Sequence, residues 1–403
     1  MNTVRTARTV APPTVTVLGS GPAGLSSAAQ LQHRGARVTV LEKGGAVAQA
    51  WASRYRGLRF NTSRTTSALL GHPFPRSFGR FPTRDQYVRY LRDFCREQEI
   101  EVRTGCTATR IEPAEQGWVV ATSAGPVRSE HVVVATGPFN APAWPEWAVG
   151  SPFRGQLVHA AHYQDPAPFV GRRVLVVGAG STGMEIAHEA AVAGAAEVTL
   201  SVRTPPTLLL REFRGMAGDL GAPLMLHLPA AIADAALRSL SAAMVGDLAP
   251  YGLPVPTEGA MTSLRRRGAG IAVVDPEVIE AIREERIRVR PAVVELGEHS
   301  ARLGDGSDVQ ADAIVVATGY SSGLAPLIGH LGVLDVRGLP RDGRGHELLP
   351  GLRCLGYVAR PGLTGYDSRL ARRMARELCS PAGARPRGRR LEPSQGIPTV
   401  TIP

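Results

Sequence analysis

The sequence predicts an α/β fold of two doubly wound units, the second inserted into the first. Three observations carry that prediction. Glycine-rich turns at residues 19–24 and 178–183 each follow an apolar strand and open a helical stretch. Each is succeeded by another apolar strand, which makes a β-α-β unit. A buried strand running into Ala-Thr-Gly also occurs twice, at residues 132–137 and 313–319.

Taken in order, residues 1–12 read as a disordered N-terminus. Residues 15–18 are a strand, a helix runs on to about residue 34, and residues 36–41 are the second strand. Residues 83–98 have helical spacing, with Tyr87, Leu91 and Phe94 on one face. Residues 102–111 and 117–121 read as short strands. The second unit has a strand at 174–177, a helix at 182–193 and a strand at 198–202. Residues 205–270 read as a helix-rich insertion. Its most apolar stretch, 223–245, is interrupted by His227, Asp234 and Arg238, which suits a buried or amphipathic helix rather than a membrane span. A helix at 276–284, strands at 287–294, 300–303 and 352–356, and a last helix at 368–379 complete the pattern. The predicted division is one discontinuous domain of 13–150 and 325–380, an inserted domain of 151–324, and a disordered tail of 381–403.

The 403 residues are enough for two cores, and 43% hydrophobic with 20% charged residues is an ordinary globular balance. The formal charge of +11 comes almost wholly from arginine, since Lys43 is the single lysine. Part of the excess lies in the tail at Arg385, Arg387, Arg389 and Arg390. No basic stripe with interleaved aromatics points to nucleic acid. The four cysteines, Cys95, Cys106, Cys354 and Cys379, form no C-x-x-C, and no His/Cys cluster has metal spacing. No metal is expected. The N-terminus lacks a signal peptide's apolar core, so a cytoplasmic location is expected.

The two turns carry the chemistry. In Gly19-Ser20-Gly21-Pro22-Ala23-Gly24, Gly19 makes the tight turn, Gly21 lets the backbone approach a pyrophosphate, and Gly24 allows close helix–strand packing. The pyrophosphate then sits on the helix N-terminus, where the dipole and unpaired N–H groups favour anions. Glu42, beside Lys43, closes the next strand about 20 residues on, where a carboxylate grips a ribose diol. That favours FAD. The second turn reads Gly178-Ala179-Gly180-Ser181-Thr182-Gly183, and its next strand runs into Arg203 and Thr204 with no acid. A guanidinium there suits a 2′-phosphate, hence NADPH. The expected fold is therefore two dinucleotide-binding, Rossmann-like domains, with the NADPH domain inserted into the FAD domain.

Between the turns, Phe153-x-Gly155-x-x-x-His159-x-x-x-Tyr163 resembles the signature of the class B flavin-dependent monooxygenases. The resemblance covers nearly the whole chain. Gln49-Ala50-Trp51 and Arg54-Tyr55 resemble that family's flavin-edge segment, and Asn61-Thr62-Ser63 its asparagine turn near flavin and nicotinamide. Ala135-Thr136-Gly137 and Ala317-Thr318-Gly319-Tyr320 match its two Ala-Thr-Gly stretches. The insertion, with Tyr251-Gly252-Leu253, is most similar to plant YUCCA-type enzymes, which usually lack an asparagine like Asn61 and usually read G-x-G-N-S-G at the second turn. Tyr163 stands where Baeyer–Villiger enzymes usually carry tryptophan, which weighs against that subclass.

The resemblance implies an enzyme in which NADPH reduces FAD, dioxygen adds to give a C4a-(hydro)peroxyflavin, and a small organic substrate is oxygenated. Asn61 would assist near the flavin, or only shape a turn. The signature segment would hold the two domains, with His159 structural. Either heteroatom oxygenation or oxidative decarboxylation of a 2-oxo acid is open. The rivals are an FAD/NADPH reductase or peroxide-forming oxidase, and a non-catalytic flavin-binding protein. A disulfide reductase of this fold would need the C-x-x-C that is absent.

Overall fold

The computed structural model describes residues 11–380; the expected disordered segments lie almost wholly outside that range. Two parallel sheets dominate. The first runs in the order Arg344–Leu349, Leu352–Leu355, His131–Val134, Thr14–Leu18, Arg37–Leu41, Val102–Arg103, with only the Arg344–Leu349 edge antiparallel. The second runs Arg288–Arg290, Glu197–Ser201, Arg173–Val177, Ala313–Val316, Gln156–His159, all parallel.

Both sheets are covered alike. Successive strand side chains point to opposite faces. In the first, Val133 packs with Leu25, Ala28, Leu370 and Met374 of the helices Pro22–Gln32 and Leu363–Leu378. Its neighbours Val132 and Val134 pack with Ile111, Trp118 and Val120 of a three-stranded antiparallel sheet. In the second, Val174 and Val176 meet Met184, Ala187 and Ile279, while Leu175 and Val177 meet Leu296, Ala301 and Leu303 of another antiparallel sheet. The near-continuous apolar strands are what a parallel sheet buried on both faces requires.

Several boundaries differ from the sequence reading. The 102–111 strand divides at Gly105, whose φ is +66°. Val102–Arg103 joins the parallel sheet and Ala108–Pro113 the antiparallel one. Pro291 separates Arg288–Arg290 from Val293–Leu296 in the same way. The last helix begins at Leu363 rather than residue 368. The 83–98 helix is Arg84–Glu97, with Thr83 and Gln86 forming a reciprocal capping box. The insertion is less helical than expected. Its strand Thr207–Leu210 pairs in parallel with Ile271–Val274, and Glu212–Phe213 with Met216–Ala217 form a hairpin. The expected single helix over 223–245 is two, Ala222–His227 and Ala230–Val245, because Pro229 forces Leu228 into extended backbone.

Candidate active site

The first glycine turn divides its labour. A Cβ on Gly19, whose φ is +101°, would stand 2.7 Å from the Ala135 carbonyl oxygen, and one on Gly24 would stand 1.8 Å from that of Gly19. Both glycines are demanded by packing. A Cβ on Gly21 would meet nothing within 4 Å. Gly21 therefore faces open space at the start of Pro22–Gln32, a helix with no side-chain cap. Ala23, in the first turn of that helix, is buried. Unsatisfied N–H groups beside an open glycine form a cradle for a phosphate.

Glu42 is buried and already oriented. Its Oε2 accepts from the Ser20 N–H at 3.0 Å and the Ser20 hydroxyl at 2.6 Å, and its Oε1 from the Gly44 N–H at 2.8 Å. Lys43 is exposed and donates to Asn140 Oδ1 at 2.7 Å. Trp51 packs on Phe60 and Tyr87, with ring centroids 5.4 and 4.7 Å away, so it belongs to an aromatic core. Thr136 shares a 2.9 Å hydroxyl contact with Tyr357, and Gly137, at φ +82°, faces open space.

The strand order gives this cradle a direction. Glu42 lies on one side of Thr14–Leu18; His131–Val134 and Leu352–Leu355 lie on the other. A dinucleotide with its ribose at Glu42 and its pyrophosphate at Gly21 would run toward Gly356 and the helix Leu363–Leu378. There the Thr364 hydroxyl donates to the Ser67 carbonyl at 2.7 Å, which ties the segment after Asn61 to the far end of the cradle.

The second turn repeats the geometry. A Cβ on Gly178, at φ +117°, would lie 2.5 Å from the Ala317 carbonyl oxygen, and one on Gly183 would lie 1.9 Å from that of Gly178. Gly180 again faces open space at an uncapped helix, Ser181–Val192. Ser181 is held in place by the Val273 N–H, 2.9 Å from its hydroxyl, and Thr182 lies by the Tyr55 hydroxyl. The strand end differs: Ser201 bonds the Pro291 carbonyl at 2.8 Å, and no carboxylate follows. Arg203 and Thr204 are exposed, and Arg203 has no hydrogen bond or ion pair with any described residue. Thr318 donates to the Ala143 carbonyl at 2.6 Å, Gly319 faces open space at φ +90°, and the Arg54 guanidinium covers the Tyr320 ring at 4.3 Å.

The signature segment forms the edge of the second sheet. His159 is wholly buried between Trp144 and Tyr320, its Nδ1 accepts from the Ala161 N–H at 3.0 Å, and burial pulls its pKa down. A Cβ on Gly155 would strike the Asp312 carbonyl oxygen at 2.5 Å and the Phe153 ring at 2.6 Å. Tyr163 stacks on Phe169 and donates to Glu189 at 2.6 Å.

A buried polar network joins the two units. Arg211, with 3% of its side chain exposed, pairs with Glu185 at 2.5 Å and with Asp275, and donates to Asn61 Oδ1 at 3.3 Å. The Tyr55 hydroxyl donates to the same Glu185. Tyr55 and Asn61 come from the first unit; Glu185 stands one turn into the second unit's glycine-rich helix. Burial pushes the Glu185 carboxyl up to about 7 against the pull of Arg211. Asp219, from the insertion, accepts from the Ser63 N–H at 2.8 Å, the Ser63 hydroxyl at 3.0 Å and the Thr66 hydroxyl. The insertion is thereby pinned over the Asn61 turn.

Comparison with known proteins places this geometry. Residues 16–208 match the pyridine nucleotide-disulphide oxidoreductase family model. The chain is 31% identical to indole-3-pyruvate monooxygenase YUCCA4 of Oryza sativa subsp. japonica over 88% of its own length and 85% of the relative's. The chain belongs to the class B flavin-containing monooxygenase family. It is an oxidoreductase, a flavin-dependent monooxygenase with flavin- and pyridine-nucleotide-type domains. Its fold matches the flavin-containing monooxygenase from Stenotrophomonas maltophilia, with TM-score 0.69 at 23% identity over 92% of this chain and 98% of that one. It matches a cyclohexanone monooxygenase at TM-score 0.68 and 17% identity, over 91% and 87% of the two chains.

For this monooxygenase, the sequence reading gave no site role to Ser20, Glu185, Arg211, Asp219 or Asp275. Ser20 lay inside the quoted turn, and its hydroxyl was the available signal. The others are scattered polar residues whose meeting no spacing announces. Among the described residues, no helix is long and apolar enough to cross a membrane, and no cluster of His, Cys, Asp and Glu could hold a metal ion.

Proposed function

We propose that FAD lies along Gly19, Gly21, Gly24 and Glu42, that NADPH lies along Gly178, Gly180, Gly183 and Arg203, and that the enzyme oxygenates a small organic substrate with dioxygen. The proposed division follows: 13–150 with 325–380 for the flavin, 151–324 for the nicotinamide nucleotide. The observation that carries this reading is the pair of cradles, alike in their open middle glycine and different at the strand end. A bound flavin supplies the electron transfer and dioxygen chemistry. The protein's part is orientation and exclusion of water. Because Arg211 donates to Asn61 Oδ1, the asparagine's NH2 is left as the donating end. Asp219 holds the insertion down over that turn.

A 2-oxo acid is the favoured substrate class, supported by relatives named for indole-3-pyruvate. The balanced reaction takes the 2-oxo acid, dioxygen, NADPH and a proton to the carboxylate one carbon shorter, carbon dioxide, water and NADP+. Heteroatom oxygenation is the second reading, favoured by Asn61. In a rapid-mixing experiment, NADPH-reduced enzyme meeting oxygen should show a transient spectrum distinct from oxidised and reduced flavin. Asn61→Ala should hasten its decay by about 10- to 100-fold while slowing flavin reduction much less. Direct return to oxidised flavin in the wild type would overturn the reading.

A further inference from the structure

One helix of the second unit receives two tyrosines. Glu185 and Glu189 stand one turn apart on the same face of Ser181–Val192, the helix that opens at Gly180. Glu185 Oε2 accepts from the Tyr55 hydroxyl, and Glu189 Oε2 accepts from the Tyr163 hydroxyl at 2.6 Å. The other Glu185 oxygen, Oε1, accepts from Arg211 of the insertion at 2.5 Å. Tyr163 comes from the signature segment, but Tyr55 comes from the first unit. Its side chain is nevertheless buried in the second unit's core, in the cluster that contains Tyr163, Phe169, Met184 and Ala187. The ring centroids of Tyr55 and Tyr163 are 5.9 Å apart.

Tyr55 arrives on a stretch, 53–58, that both units grip. From the first unit, the Arg84 guanidinium donates to the Arg54 carbonyl at 2.5 Å and the Arg84 N–H to the Leu58 carbonyl at 2.9 Å. From the signature side, the Arg56 N–H donates to the Gln164 carbonyl at 2.8 Å, and Gln164 Nε2 donates to the Ser53 carbonyl at 2.9 Å. Gly57 lies flush against the helix. A Cβ there would stand 1.8 Å from Glu189 Oε1, the oxygen that Tyr163 does not use. Glu189 could swing clear of a methyl group only by giving up Tyr163. Gly57 is not in the left-handed region, so the contact with Glu189, and not the backbone angle, is what demands glycine.

We propose that the stretch 53–58 is a positioning element for flavin reduction. Tyr55 on Glu185, and Gly57 against the Glu189 that Tyr163 holds, fix the helix of the second cradle against the first unit, and so set the nicotinamide in register with the flavin. The inference rests on the proposed placement of FAD and NADPH in the two cradles. In reduction one hydride passes from NADPH to FAD, leaving NADP+ and the reduced flavin anion. Such a transfer is sensitive to misplacement on the scale of an ångström. Tyr55, Gly57, Glu185 and Glu189 touch one another rather than the reacting atoms, so they are positioning residues.

The test is anaerobic rapid-mixing reduction of the FAD-loaded full chain over a range of NADPH concentrations. This separates the limiting reduction rate from the NADPH dissociation constant. Tyr55→Phe keeps the ring and removes only the hydroxyl. It should lower the limiting rate about 10-fold and leave the dissociation constant near the wild-type value. Gly57→Ala, which forces Glu189 and Tyr163 apart, should lower the rate by about 10- to 100-fold. Adding Tyr55→Phe to Glu185→Ala should slow reduction no further than Glu185→Ala alone, because the hydroxyl acts through that carboxylate. Flavin per chain and melting temperature report whether each variant is folded, and where one is not, the other decides. A lower melting temperature with an unchanged limiting rate would overturn the proposal, as would a slow rate that more NADPH restores. Failure of the cofactor reading would show differently, as wild-type protein that takes up FAD but is not reduced by NADPH.

Discussion

The two nucleotide cradles of this enzyme are built alike and end differently. In each, the outer glycines are forced by contact: Gly19 and Gly24 in one, Gly178 and Gly183 in the other, with hypothetical Cβ atoms 1.8–2.7 Å from backbone oxygens. In each, the middle glycine faces open space. At the close of the next strand, however, the first cradle carries a buried Glu42 clamped by Ser20 and Gly44, and the second an exposed Arg203 that pairs with none of the described residues. The shared part is the geometry of passing from strand to helix. On the proposed reading, the different part is a choice of ligand. A buried carboxylate preset by N–H and O–H donors suits a neutral diol, and an exposed guanidinium suits a phosphate.

The sharpest way to break the comparison is to fill the open glycines. Gly21→Val should abolish FAD binding and give colourless protein, because a side chain would occupy the pyrophosphate's approach. Gly180→Val should leave the protein yellow yet no longer reduced by NADPH. Flavin absorbance per chain and anaerobic reduction check both, and loss of flavin in both variants would show that the cradles are not independent.

A smaller effect is expected from the strand ends. Arg203→Ala should raise the Michaelis constant for NADPH about 10- to 100-fold and leave NADH nearly unchanged, since only the 2′-phosphate needs the guanidinium. Equal losses for both nucleotides would make Arg203 structural and remove the contrast with Glu42.

The subtlest effect lies between the cradles. Glu185 has its carboxyl pushed up to about 7 from an ordinary 4.5 by burial. An acid whose pKa rises on folding is a penalty that is absent below its unfolded value and complete above its folded one. The stability of the wild type relative to Glu185→Gln should therefore fall as pH rises from about 4.5 to about 7, then level off. Melting temperatures of the two proteins across that window measure it, and a constant difference would mean that Arg211 keeps Glu185 ionised throughout.

Much of this was legible in the linear chain because it depends on local order. Gly19, Gly21 and Gly24 must follow a strand and open a helix, and Glu42 must close the next strand, so their spacing announces them. The same holds for Gly178, Gly180 and Gly183, and for the apolar strands buried on both faces. Local rules also explain where the reading slipped: Pro229 and Pro291 broke elements that hydrophobicity alone had joined. What only the tertiary structure decided is the meeting of distant polar residues. Asn61, Glu185, Arg211 and Asp275 share no spacing. Their significance comes from meeting around the buried Arg211 and Glu185, where burial raises the Glu185 pKa, and removal from water is a property of packing that no short stretch of sequence carries.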